Sequence, residues 1–258
     1  MLRRAFLGAL LTSPVVACTK PDDAPRTLKI AAAADLAVAF KEVGEAFEKL
    51  RGVKSIFTFG STGLLSKQVV EGAPFDVFAA ANVSFIEDLA TNGHVLPETK
   101  TLYARGRIVV WTKATKLTLA GLTDDAVQKI AIANPEHAPY GRAAEQALRS
   151  VGVYDRVKPK LVFGENVQQA LQFAESGNAD VAVVALSLAM HAKGQYEIVD
   201  EALHEPIAQA MAVCSISKLR EDALAFVRFV EAPEGRAIMT SHGFLLPGET
   251  LAATRDSR

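Results

Sequence analysis

The chain of 258 residues predicts an α/β protein built of two successive units. Three observations carry that reading. From Leu28 onward, short apolar runs alternate with segments of helical period. The helical segments stop at glycines, namely Gly52, Gly72, Gly93, Gly152 and Gly177. The alternation lapses over the looser stretch ATKLTLAGLTDDAVQ and then starts again. A composition that is 50% hydrophobic supplies one large core or two modest ones.

In order, LKIAAAA is a strand rich in small apolar residues. LAVAFKEVGEAFEKLRG follows, with Leu36, Phe40, Val43, Phe47 and Leu50 three or four apart, which makes one apolar helical face. KSIFTF is the next strand, LLSKQVVEG the next helix, FDVFAAA a third strand, VSFIEDLATNG a short helix, and RIVVWTK a strand of β-formers. This β-α-β-α-β-α-β order has the rhythm of a parallel sheet. The second unit runs KIAIANP (strand), GRAAEQALRSVG (helix), PKLVFG (strand), VQQALQFAESG (helix) and ADVAVVAL (buried strand). A further strand, IAQAMAVCSI, precedes two closing helices broken at Ala232-Pro233. The similar rhythm of the two units is not a solenoid repeat.

Formal net charge is −1 and the basic residues are dispersed, without the Lys/Arg-rich tract of a nucleic-acid binder. The first residues, MLRRAFLGALLTSPVVACTK, place Arg3 and Arg4 before a short apolar run that ends at Cys18. This is the layout of a secretory signal over residues 1–17. Cys18 after small and aliphatic residues resembles a bacterial lipobox, which implies cleavage before it and a lipid on its thiol. A plain secretory signal cut nearby is the competing reading. Removing residues 1–17 takes the formal charge to −3. Residues 18–27 then read as a polar tether. With Cys18 so used, Cys214 is expected as a free, buried strand cysteine. His94, His137, His191, His204 and His242 show no metal-ligand spacing.

In open parallel α/β sheets, ligands sit beyond the carboxyl ends of strands, beside helix N-termini. The strand-to-helix junctions here are Ala33-Ala34-Asp35-Leu36, Gly60-Ser61-Thr62-Gly63, NPEHAPYGRAA and FGENVQQA, two in each unit. Their small and polar residues suit an anion held by N–H and O–H dipoles, because a helix N-terminus leaves its first amides unpaired. Ser61 and Thr62 are equally good helix caps, and that plainer role satisfies the same donors. Arg142, just past Gly141, is the nearest cation and reads as a solvated helix residue.

The segments AAAADLAVAF, GSTGLLSKQVVEGAPFDVFAAA, NPEHAPYGRAAEQAL and ENVQQAL resemble, in order, four characteristic segments of molybdate-binding proteins, the substrate-capturing component of molybdate ABC transporters. The likeness runs from Leu28 to HGFLLP. It implies an α/β, two-lobed periplasmic-binding-protein fold of type II, with the ligand cleft between two parallel-core lobes. Residues 28–108 plus 211–258 are expected in lobe 1 and 109–210 in lobe 2. The resemblance further implies that molybdate, or tungstate, is held chiefly through backbone N–H groups. Ala34, Asp35, Ser61 and Thr62 would serve on one side of the cleft, and Tyr140 and Val167 on the other. Molybdenum enters only as molybdate, and no cofactor is implied. Two positions depart from the pattern. Some family members place a hydroxyl at the first junction, where this chain has Ala34 and Asp35. Others place a tyrosine where this chain has Ala185.

Asp35 admits two readings. The favoured one is a cap, its carboxylate turned onto the amides of residues 37 and 38 while its own N–H faces the cleft. As an acceptor facing the cleft it would repel a dianion and favour a protonated anion such as hydrogen phosphate. The implied function is therefore capture of molybdate or tungstate and delivery to a membrane permease; the alternative is a binder of phosphate or another small oxyanion. An enzyme is disfavoured, because no G-x-S-x-G, P-loop or HExxH pattern is present and no nucleophile–base pair is expected at the four junctions. The expected protein is a monomer at the periplasm or envelope surface, anchored through Cys18.

Overall fold

A computed structural model describes residues 26–249. The signal segment, Cys18 and the tether up to residue 25 lie outside the described residues. The chain lays down β1 (Thr27–Ala33), β2 (Lys54–Gly60), β3 (Val77–Ala80) and β4 (Thr101–Gly106) in one sheet. It then passes at once into β5 (Ile108–Thr112), β6 (Ile130–Ala133), β7 (Leu161–Gly164), β8 (Val181–Ala185) and β9 (Gln195–Ile198) of a second sheet. It returns to the first as β10 (Ile207–Val213). Helices α1 (Ala39–Arg51), α2 (Thr62–Val70) and α3 (Val83–Thr91) belong to the first lobe. The second lobe carries α4 (Pro139–Ser150), α5 (Tyr154–Val157), α6 (Val167–Ser176) and α7 (Leu186–Ala189). The closing helices α8 (Arg220–Glu231) and α9 (Pro233–Ser241) pack on the first lobe through α1.

The strand orders are β2-β1-β3-β10-β4 and β7-β6-β8-β5-β9. Each sheet has a parallel trio, β2-β1-β3 in one and β7-β6-β8 in the other. Each is completed by two strands added antiparallel, β10 and β4 in the first, β5 and β9 in the second. The parallel rhythm read from the sequence thus describes the centre of each lobe and not its far edge. RIVVWTK does not finish the first sheet; it is β5, and only Arg107 separates it from β4. The chain crosses between sheets at Arg107 and again between Ile198 and Ile207. Ile108 and residues 207–210 therefore sit in the opposite sheet to the one that the partition 28–108, 109–210 assigns them.

The core follows the apolar periodicity. Phe40, Val43 and Phe47 of α1 are fully buried, and Phe226 of α8 meets the rings of Phe40 and Phe47 edge-on at 5.9 and 5.3 Å. Truncating Phe40, Phe47 or Phe226 to Ala costs about 3–5 kcal/mol, the range for a buried aromatic. Leu50, placed on the same stripe by spacing, is 62% exposed. It lies in the last turn of α1, where the sheet no longer covers the helix.

Candidate functional site

Four helix N-termini meet between the lobes. From the first lobe come the 3-10 turn Ala34–Leu36 after β1 and the start of α2 after β2. From the second come the starts of α4 after β6 and α6 after β7. Together they line one small cavity, with Ala34, Asp35, Ser61, Thr62, Tyr140 and Val167 all in its wall, joined by Ala81, Ala138 and Asn166. Thr62, Tyr140 and Val167 each occupy the first turn of a helix, where no carbonyl four residues back can accept the N–H. Among the described residues no Lys or Arg lines the cavity. Arg142 faces surface grooves on α4, and Ala185, at the end of β8, is fully buried outside the wall.

The hydroxyls of the G-S-T-G turn are not caps: Ser61 occupies the N-cap position of α2 without a side-chain bond to the helix. Thr62 Oγ1 accepts the Ala81 N–H at 3.1 Å, which leaves its own proton free to donate. Ser61 Oγ instead reaches across the cleft to the His137 carbonyl and ring, both at 2.7 Å. Beside it the Gly63 N–H donates to the same carbonyl at 2.9 Å. Position 63 requires glycine, since a Cβ there would stand 2.8 Å from that oxygen.

Behind the cavity wall lies a buried polar network that joins the lobes. Asp35 is wholly buried, and its Oδ2 accepts from the Tyr140 hydroxyl at 2.9 Å and from Gln209 Nε2 at 2.5 Å. Gln209 Oε1 in turn accepts from the Tyr103 hydroxyl at 2.7 Å. Gly106, at the end of β4, gives the Tyr140 ring its place; a Cβ there would collide with the hydroxyl and lie 2.8 Å from Cζ. Asp35 Oδ1 is buried without a protein partner. The cap expected of this residue is absent, because the turn carries no side-chain cap bond. Tyr140 and Gln209 draw the carboxyl away from the amides of residues 37 and 38. The Asp35 carbonyl is held from the other lobe by Ser187 Oγ at 2.8 Å.

Burial pushes the Asp35 carboxyl up to about 6, against the Gln209 amide, the Tyr140 hydroxyl and its own backbone N–H, which favour the charged form. Burial, and then the Asp35 charge, raise Tyr103 and Tyr140 well above the usual phenol range. Both phenols are therefore neutral donors at any physiological pH. The site is a ring of uncharged N–H and O–H donors with one titratable carboxyl at its edge. Such a ring can hold a small oxyanion by hydrogen bonds alone. Its Ser61–His137 contact is not a poised nucleophile and base, because the Ser61 proton goes to the His137 carbonyl.

Sequence reasoning missed His137, Gln209, Tyr103 and Ser187. His137 stood inside the quoted NPEHAPYG segment. Gln209 is the one polar residue fully buried within the apolar strand IAQAMAV, and that anomaly was the available signal. Cys214 is buried and free, as its apolar setting implies.

Residues 28–245 match the family of bacterial extracellular solute-binding proteins. The molybdate-binding protein ModA of Azotobacter vinelandii is 34% identical over 229 residues, covering 84% of this chain and 89% of that one. ModA of Rhodobacter capsulatus is 32% identical over 218 residues, covering 83% and 86%. The solved structure of the Azotobacter vinelandii periplasmic molybdate-binding protein superposes with a TM-score of 0.81 at 30% identity, over 85% of this chain and 99% of that chain. Two α/β lobes, a cavity at their facing helix N-termini and these similarities lead to one conclusion: the chain belongs to the bacterial extracellular solute-binding protein family.

Proposed function

We propose that the protein captures molybdate, and tungstate equally, in the cavity between its lobes and delivers it to a membrane ABC importer. The observation that carries this reading is the convergence of four helix N-termini, two from each lobe, on one cavity without a lining cation. A tetrahedral dianion presents four oxygens, each able to accept several hydrogen bonds, and the Thr62 hydroxyl with the first-turn amides at 34, 35, 62, 140 and 167 can serve them. Ser61 lines the same wall, with its hydroxyl proton committed to His137. Selection against smaller sulfate needs no special residue, since each buried donor left unmatched costs about 1–3 kcal/mol. The likeness to molybdate-binding relatives supports the choice of anion, and membership of a solute-binding family supports a carrier in place of an enzyme.

Around that core the reading extends to a monomer at the periplasm or envelope surface, held by a lipid on Cys18 and docking on a permease. Calorimetry of the mature protein with molybdate, tungstate, sulfate and phosphate in turn tests it. Molybdate and tungstate are expected to bind far more tightly than the other two. The unpartnered Asp35 Oδ1 favours a second reading, in which it accepts the proton of hydrogen phosphate. A preference for phosphate in the same titrations would replace the first reading with the second.

A further inference from the structure

We propose that His137 determines oxyanion specificity as a positioning residue: it clasps the Gly60–Gly63 turn across the cleft and fixes the lobe separation at which the anion is held. The inference rests on the oxyanion-binding reading above and concerns a residue that does not line the cavity.

The geometry assigns every proton in the clasp. Ser61 Oγ lies 2.7 Å from the His137 carbonyl oxygen and 2.7 Å from Nδ1 of the same residue. A hydroxyl has one proton and a carbonyl only accepts, so the Ser61 proton goes to the carbonyl and Nδ1–H donates to Oγ. The Gly63 N–H fills the carbonyl's second lone pair at 2.9 Å. Three hydrogen bonds thus tie the second-lobe loop before α4 to the first turn of α2.

All three bonds link residues of opposite lobes and exist only when the lobes are together. Thr62 lies next to Ser61, and Ala138 to Tyr140 follow His137 directly, so the clasp sets the distance between donors on the two cavity walls. That distance is fixed by protein–protein bonds and does not contract around a smaller guest. A large tetrahedral dianion meets donors on both sides; sulfate leaves some unmet. Loosening the clasp therefore removes more affinity from the well-fitted anion than from the poorly fitted one.

The test measures affinity, association and release for molybdate, with sulfate affinity alongside, in wild type, His137→Ala, His137→Asn and Gly63→Ala. His137→Ala is expected to release molybdate about tenfold faster, with association changed by less than about twofold, as the loss of one hydrogen bond in the bound state implies. The molybdate-to-sulfate preference should narrow by about threefold or more. His137→Asn, whose side-chain N–H can reach Ser61 Oγ, should recover most of the loss. Gly63→Ala, which presses a Cβ against the His137 carbonyl, should reproduce it. Melting of the ligand-free protein should move less in His137→Ala than melting of the molybdate-bound protein, because the clasp forms only with the lobes together. Release within about twofold of wild type, or an undiminished preference, overturns the proposal. So does a fall in ligand-free melting that Asn does not restore. A wild type that binds neither anion, and no phosphate either, refutes the oxyanion reading itself.

Discussion

Replacing Asp35 by Asn exchanges a fully buried carboxyl for a neutral group of the same shape. Its amide oxygen can accept from Tyr140 and Gln209, and its amino group takes the place of the unpartnered Oδ1. The carboxyl moves from 3.8 in the unfolded chain to about 6 in the fold, because burial disfavours its charge. At about 1.4 kcal/mol per tenfold change in proton affinity, that difference corresponds to about 3 kcal/mol. The sign follows from the direction. The fold prefers the protonated acid, so this contribution is complete below pH 3.8 and is lost as pH rises through about 6. Asp35→Asn should therefore match wild type at about pH 4 and exceed it by up to about 3 kcal/mol at about pH 7.5. Urea unfolding of both proteins at the two pH values reads this directly, and the comparison cancels every other carboxylate that titrates. Molybdate should bind the variant at least as tightly, because a negative charge beside the dianion is gone. In wild type, binding should draw a proton onto Asp35, seen as a heat that varies with the buffer. A variant less stable than wild type at about pH 7.5, or a gap within about 0.5 kcal/mol at both pH values, would refute the reasoning.

Thr62→Ala should weaken molybdate binding by about 1–3 kcal/mol, the range for a hydrogen bond to a charged partner, and should also cost stability because the Ala81 N–H loses its acceptor. Thr62→Ser keeps both roles and should behave as wild type in the same titrations. Gly106→Ala should destabilise the closed form by about 2 kcal/mol or more, as overpacking against the Tyr140 ring implies, and calorimetry should show it as weakened binding. Small-angle scattering should record a smaller radius of gyration with molybdate than without, since donors from both lobes must reach one ion; an unchanged radius would remove the two-lobe mechanism.

The central strands and the four junctions were legible because they obey local rules. Buried parallel strands read as continuous apolar runs, and a small residue before a helical period marks the turn. The outer strands β4 and β9 were not legible. TLYARG mixes exposed and buried positions, QYEI has only exposed and half-buried ones, and both include a charged residue and carry no clean apolar alternation. The assignment of RIVVWTK to the first unit failed for a related reason. A crossing made by the single residue Arg107 leaves no linker in the composition. Asp35 was misread as a cap because its partners, Tyr140 and Gln209, stand 105 and 174 residues away in the chain. No local pattern could announce a carboxyl whose orientation is decided by another lobe and by the last strand.

The position of β10 bears on how this chain reaches its native state. The second lobe draws all five strands from one unbroken run, residues 108–198, whereas the first sheet holds a gap between β3 and β4 until β10 enters it. The pairing of Ala80 with Ala210 closes a loop of about 130 residues, the kind of distant contact that slows folding. Pulse-labelled hydrogen exchange should find β6 and β8 protected before β3; simultaneous protection would contradict this order. Until β10 arrives, the wholly buried residues of β3 present an open edge. The same strand brings Gln209 to Asp35. A half-folded chain therefore lacks the polar anchor behind the cavity, and competence to hold an anion arrives with the last act of folding.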